Sequence, residues 1–171
     1  MWQANSGIVI HLRNSAEGAL TSTALIEKIS GGSMIYCAGG ARSFKMENGS
    51  KITDCPSLNG NVIFAKNSTI VIDGEISNVH ATGNHILQTD GGTAVTIGEN
   101  GRILNNRAYY GAVYINGTDE HLDIYGKING NISTDRGGGV VLSNNGGNHN
   151  AAMYEGCLLY TSPSPRDLST S

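Results

Sequence analysis

The chain has 171 residues, 24 of them glycine and 18 asparagine, with 15% charged residues, 39% hydrophobic residues and a formal charge of −3. So little charge excludes a coiled coil or a charged disordered segment, and glycine without a G-X-Y period excludes collagen. The negative balance gives no electrostatic reason to bind nucleic acid or anionic lipid, and what remains is a turn-rich β protein of about one domain's length.

Along the chain, Met1–Asn5 lacks the basic start and the apolar run of ~7–15 residues that mark a secretory signal. No apolar run approaches the ~18 residues needed to span a membrane, so direct membrane insertion is not expected. Met1 reads as an internal start within a longer reading frame. Residues 1–30 are expected to form an irregular N-terminal rung or cap. Within them, residues 14–30, including Ala24–Ile29, fit the later repeat poorly and suit either an irregular rung or a short helix begun by a capping residue such as Thr21 or Ser22.

From residue 31 onward two phrases alternate. One is apolar-x-apolar, then Gly, then Ile: Phe44-Lys-Met46 with Gly49 and Ile52, Ile70-Val-Ile72 with Gly74 and Ile76, Val95-Thr-Ile97 with Gly101 and Ile103, and Leu122-Asp-Ile124 with Gly126 and Ile128. The anchoring isoleucines lie 24, 27 and 25 positions apart, and Ala152–Gly156 opens like a fifth copy. The other phrase is a small residue followed by a short apolar run, as in Gly31–Tyr36, Asn59–Phe64, Gly83–Leu87, Gly111–Ile115 and Gly137–Leu142.

Apolar residues spaced by two share one face of an extended chain, and turn residues recur too often for ordinary hairpin strands. Two phrases sharing one period describe one structural unit repeated. A unit of this length with short strands and tight turns fits one rung of a parallel β-helix, stacked at ~4.8 Å on the next. The fold class expected is therefore all-β, a right-handed single-stranded parallel β-helix of about four to five rungs of 24–28 residues across 31–156, truncated at its ends. Asp54, Asn78 and Asn105 sit two residues past their anchors and Asn129 one past its own. Stacked at equivalent turns, these side chains are expected to form a hydrogen-bonded ladder.

The last stretch departs from this pattern. Cys157-Leu-Leu-Tyr-Thr-Ser-Pro-Ser-Pro-Arg-Asp167 holds two of the three prolines and no Gly or Asn. It resembles the translation of a sequencing-library adapter, so 157–171 is expected to be non-native or disordered.

The phrases Gly101-Arg-Ile-Leu-Asn-Asn-Arg-Ala-Tyr-Tyr-Gly111-Ala-Val-Tyr-Ile115 and Gly126-Lys-Ile-Asn-Gly-Asn131 with Gly137-Gly-Gly-Val-Val-Leu142 resemble the pectate-lyase-like β-helix repeats of bacterial surface and secreted proteins. The resemblance covers 31–156. It implies an extracellular or cell-surface setting, and a scaffold that serves adhesin-like proteins and polysaccharide-active enzymes alike. Function must then be argued from the site.

No catalytic set stands out. Asp73 and Asp123 fall near comparable points of their repeats and Asp90 precedes Gly91-Gly92, yet the intervening copy places Gly98 or Glu99 there; all three acids read as solvated turn or strand residues. His80 and His85 have no acid or thiol at ligand spacing, and the calcium-binding Gly-Gly-x-Gly-x-Asp repeat is absent, so neither metal nor cofactor is expected. Cys37 reads as a small core residue rather than a bridge partner of Cys55, and Gly137–Gly139 as corner glycines rather than a phosphate loop. Tyr109 and Tyr110, an aromatic pair in an inferred turn, are the candidate binding residues because such rings stack on sugars. The expected role is structural or adhesive, with glycans or host-surface molecules and further rungs of the same chain as partners. The alternative is part of a carbohydrate-active enzyme, marked by acidic and basic side chains at equivalent positions on three successive rungs.

Overall fold

The computed structural model describes residues 3–4, 7–40, 42–144, 148–155 and 158–161. They form a parallel β-solenoid of about five turns with no helix. Each turn runs over four faces. The first carries Ile10–Leu12, Ile35–Cys37, Ile63–Ala65, Leu87–Thr89, Val113–Gly117 and Val140–Asn144. The second carries Glu17–Leu20, Arg42–Met46, Ser68–Ile72, Ala94–Ile97, Glu120–Ile124 and His149–Met153. The third carries Leu25–Glu27, Lys51–Thr53, Glu75–Ser77, Arg102–Leu104 and the start of Lys127–Ser133. The end of that long strand crosses to the fourth face, above Arg107–Ala108, His80–Ala81, Ser57–Leu58 and Ser30–Gly31.

The repeat phrases set the register. Ile52, Ile76, Ile103 and Ile128 pair directly, each fully buried. Phe44, Ile70, Val95 and Leu122 form one inward column of the second face; Met46, Ile72, Ile97 and Ile124 form the other. On the first face Ile35, Ile63, Leu87 and Val113 stack likewise. Each such side chain adds about 1.5–3 kcal/mol by leaving water, but only because the next rung covers it. Gly101 and Gly126, which open two copies of the Gly-x-Ile phrase, are required by close approach. A Cβ there would lie 2.2 Å from the carbonyl oxygens of Ile72 and Gly101, respectively.

Residues 14–30 form strands, not a helix: Glu17–Leu20 and Leu25–Glu27 continue the second and third faces in register. Their pattern is faint because Gly18 occupies the column of Phe44, and a Cβ on it would lie 2.7 Å from a Leu12 methyl carbon. Leu158–Thr161, within the tail expected to be non-native, pairs with Lys127–Ser133; residues 157 and 162–171 lie outside the described residues.

The expected turn ladder is shifted. Lys28, Asp54, Asn78, Asn105 and Gly130 all have φ between 51° and 65° at the corner between the third and fourth faces. Asn129 does not join them, because Gly130 takes the corner. Asn78 Nδ2 donates to Asp54 Oδ1 at 3.2 Å, the side-chain link in this column. A stronger amide pair lies one residue further on and indoors, where Asn106 and Asn131 are each 1% exposed.

Candidate functional site

The second residue of each first-face strand points outward, because neighbours in an extended chain alternate sides. Register places His11, Tyr36, Phe64, Gln88 and Tyr114 in one outward column. His11 meets Tyr36 edge-on at 5.1 Å between centroids, and Tyr36 stacks on Phe64 at 4.8 Å and 16°. Parallel rings touch at about 3.5 Å, so rings 4.8 Å apart are offset like shingles, and each leaves part of its face to solvent.

At the upper end of this column lies a groove of about 300 Å³. Tyr110, from the turn before the first face, and Tyr114 flank His85, which stacks on Tyr114 at 4.3 Å and 9° and lies 5.3 Å from Tyr110. Arg136 comes from the equivalent turn one rung higher, its guanidinium 5.5 Å from the Tyr110 centroid and 5.7 Å from that of Tyr114. Its Nε is 3.6 Å from Asp135. Asn84, Gln88 and Asn116 complete the lining with amides, and none of the lining residues is acidic.

Beneath the groove, buried Asn61 holds it in place. Its Oδ1 accepts the His85 backbone N–H at 3.0 Å and its Nδ2 donates to Gln88 Oε1 at 3.0 Å. His85 is 3% exposed, and its Nδ1 has no hydrogen-bond partner among the described residues. Burial, aided by the charge of Arg136, pushes its pKa down to about 4, so the ring is neutral near neutral pH. The site thus offers aromatic faces, one cation, amides and a neutral imidazole.

Of the two tyrosines singled out from the sequence, Tyr110 lines this groove. Tyr109 stands beside it, 40% exposed, its ring edge-on to Tyr110 at 4.4 Å. Sequence reasoning missed His85, Tyr114 and Arg136. The available signal was the recurrence of an aromatic residue, Tyr36, Phe64 and Tyr114, directly after Ile35, Ile63 and Val113 in the small-then-apolar phrase.

Asp73 and Asp123 do not share a column. Asp123 lies over Thr96 and Val71, whereas Asp73 sits in the following turn, its Oδ1 accepting from the Asn100 backbone at 3.1 Å. Asp90 is ion-paired with Lys66 at 2.8 Å. Asp123 accepts from His121 Nε2 at 2.9 Å and from the Tyr154 hydroxyl at 3.0 Å. Hydrogen bonds of its hydroxyl to Tyr125 and Asp123 push the Tyr154 pKa up to about 12. His80 pairs in register with Arg107 on the fourth face. Cys37 and Cys55 are buried free thiols, and burial pushes Cys37 up to about 11.

A column of charge also runs up the third face: Lys51, Glu75, Arg102 and Lys127 are register partners. Glu75 accepts from Ser77 Oγ at 2.8 Å. A cleft of about 190 Å³ beside it includes Asp73 and Asn100.

No protein-family model, no curated protein and no solved structure matches this chain. The pectate-lyase-like resemblance therefore rests on the repeat phrases, with the solenoid architecture beside it.

Proposed function

We propose that this solenoid serves a structural and adhesive role in a secreted or cell-surface bacterial protein, and that it recognises glycans through its first face. The observation that carries this reading is the groove of Tyr110, Tyr114, His85 and Arg136. Rings with accessible faces suit the C–H faces of a sugar, while the amides and Arg136 suit its hydroxyl and acidic groups. The test is binding to an array of plant, bacterial and animal glycans by the wild-type chain and by Tyr110→Ala and Tyr114→Ala. Retention of one glycan class that both variants lose supports the reading. Equal binding by all three proteins, or none by any, rejects it.

The charged column of the third face favours a second reading, a carbohydrate-active enzyme. Paired acid and base groups are what glycoside cleavage uses. Here Glu75 would be the essential carboxylate: absence of any depolymerisation of acidic polysaccharides by the wild type argues against the reading, and cleavage that survives in Glu75→Gln argues against this column as its site.

A further inference from the structure

A second groove opens at the other end of the aromatic column. It encloses about 740 Å³ and is lined by His11 and Tyr36 from the column, with Ile8 and the turn residues Arg13, Asn14 and Gly39. Its chemistry repeats that of the upper groove: a tyrosine, a histidine, an arginine and an asparagine amide. Neither lining includes an acid. Phe64 and Gln88 bridge the two on the same outward column. Tyr36 and Tyr114 are three rungs apart, about 15 Å at the spacing of stacked strands. The lower groove opens toward the turn after the first face, and the upper toward the turn before it. A line joining them therefore crosses the face obliquely.

Resting on the glycan reading above, we propose that the two grooves are subsites of one elongated site, occupied together by a single unbranched polysaccharide chain lying obliquely along the solenoid. Two grooves of like chemistry, joined by the ring of Phe64 and the amide of Gln88 and separated by more than one sugar unit, suit a polymer. A free monosaccharide would fill only one of them. A chain that fills both gains affinity without new contacts at either end, because the second contact forms within the complex.

The test is calorimetric titration with disaccharides and hexasaccharides prepared from hyaluronan, alginate, xylan and cellulose. Tyr36→Ala and Arg13→Ala report on the lower groove, and Tyr114→Ala on the upper. All three side chains point outward or sit in a turn, and thermal melts establish that the variants are folded. The proposal expects one hexasaccharide to bind at least about tenfold tighter than its disaccharide. It expects Tyr36→Ala and Arg13→Ala to erase that gain while leaving disaccharide binding intact. Length-independent binding that Tyr114→Ala abolishes and both lower-groove variants leave unchanged overturns the elongated site and leaves the upper groove standing. No binding of any probe overturns the glycan reading itself.

Discussion

Asn106 and Asn131 face each other inside the solenoid on successive rungs, with Asn106 Nδ2 and the Asn106 backbone N–H both donating to Asn131 Oδ1 at 3.0 Å. The remaining amide atoms turn to the corner backbone. Asn131 Nδ2 donates to Ile103 O at 2.8 Å, Asn106 Nδ2 also donates to Ile76 O at 3.0 Å, and Asn106 Oδ1 accepts from Val79 N at 2.9 Å. One rung lower, Val79 takes the corresponding inward place. The pair thus replaces apolar filling with main-chain satisfaction at the corner where Lys127–Ser133 passes from the third face to the fourth.

Asn131→Ala strips a partner from the Asn106 backbone N–H and from Ile103 O. Each buried orphan costs about 1–3 kcal/mol, so the expected loss is several kcal/mol. Asn129→Ala, two residues earlier on the same strand and partly exposed, is expected to cost under about 1 kcal/mol. Urea midpoints of the two variants check the contrast.

Ile103 stands in the middle of the column Ile52, Ile76, Ile103, Ile128 and is fully buried. Ile103→Asp puts a charge where no partner exists, which exceeds the net stability of most domains of this size. Loss of the cooperative β-type melt is expected; a retained melt would mean that the inward assignment is wrong.

Gly126→Ala places a Cβ 2.2 Å from Gly101 O and 2.4 Å from Gly98 O, both backbone atoms that cannot swing aside. Gly137→Ala meets nothing within 4 Å. The first is expected to lower the melting temperature by several degrees, the second hardly at all, and differential scanning calorimetry separates them.

The pH profile holds two opposed contributions. Glu120 is 1% exposed, and neither carboxylate oxygen makes a well-formed hydrogen bond among the described residues, although the Thr89 hydroxyl and the Thr93 and Gly91 backbone lie near. Burial pushes it up to about 7, so the folded state holds its proton more tightly than the unfolded chain. Its contribution is fully present at acid pH and is lost as pH rises from about 4.5 to about 7. His85, held down at about 4, behaves in reverse: its contribution is present above about 6.5 and lost as pH falls toward 4. Each is on the order of 3 kcal/mol. The two offset each other between about pH 4.5 and 6.5, so denaturant stability of the wild type is expected to be nearly level there. Glu120→Gln is expected to raise stability at pH 8 and to unmask the loss in acid. His85→Asn, which copies Asn61 of the rung below, is expected to unmask the decline toward neutral pH.

The architecture was legible because its causes are periodic. A buried isoleucine every 24 to 27 positions and a glycine forced by the backbone of the neighbouring rung leave a signal that spacing alone reveals. Where a neighbour substitutes for the pattern, as Leu12 does beside Gly18, the signal fades and the rung of residues 14–30 hides. Asn129 misled for a related reason: it has the residue type a corner favours, but Gly130 beside it needs no Cβ at positive φ. The groove was less legible still. His85 and Arg136 come from turns whose lengths differ from rung to rung, and only the stacked backbone brings them to Tyr114. Glu120, with His149 above it in register, is likewise an inward polar residue that no periodicity announces.

Every strand here pairs with one from a neighbouring turn, so the ladder hydrogen bonds point along the long axis. Tension applied between the two ends loads those junctions in series, while the three or four short strands of any one junction share the load in parallel. Because a rung touches only the rungs beside it, the assembly gives way at its weakest junction and then at the next. A molecule built this way releases its length in instalments of about one repeat each. Stretched between two surfaces, it would dissipate a pull stepwise before letting go.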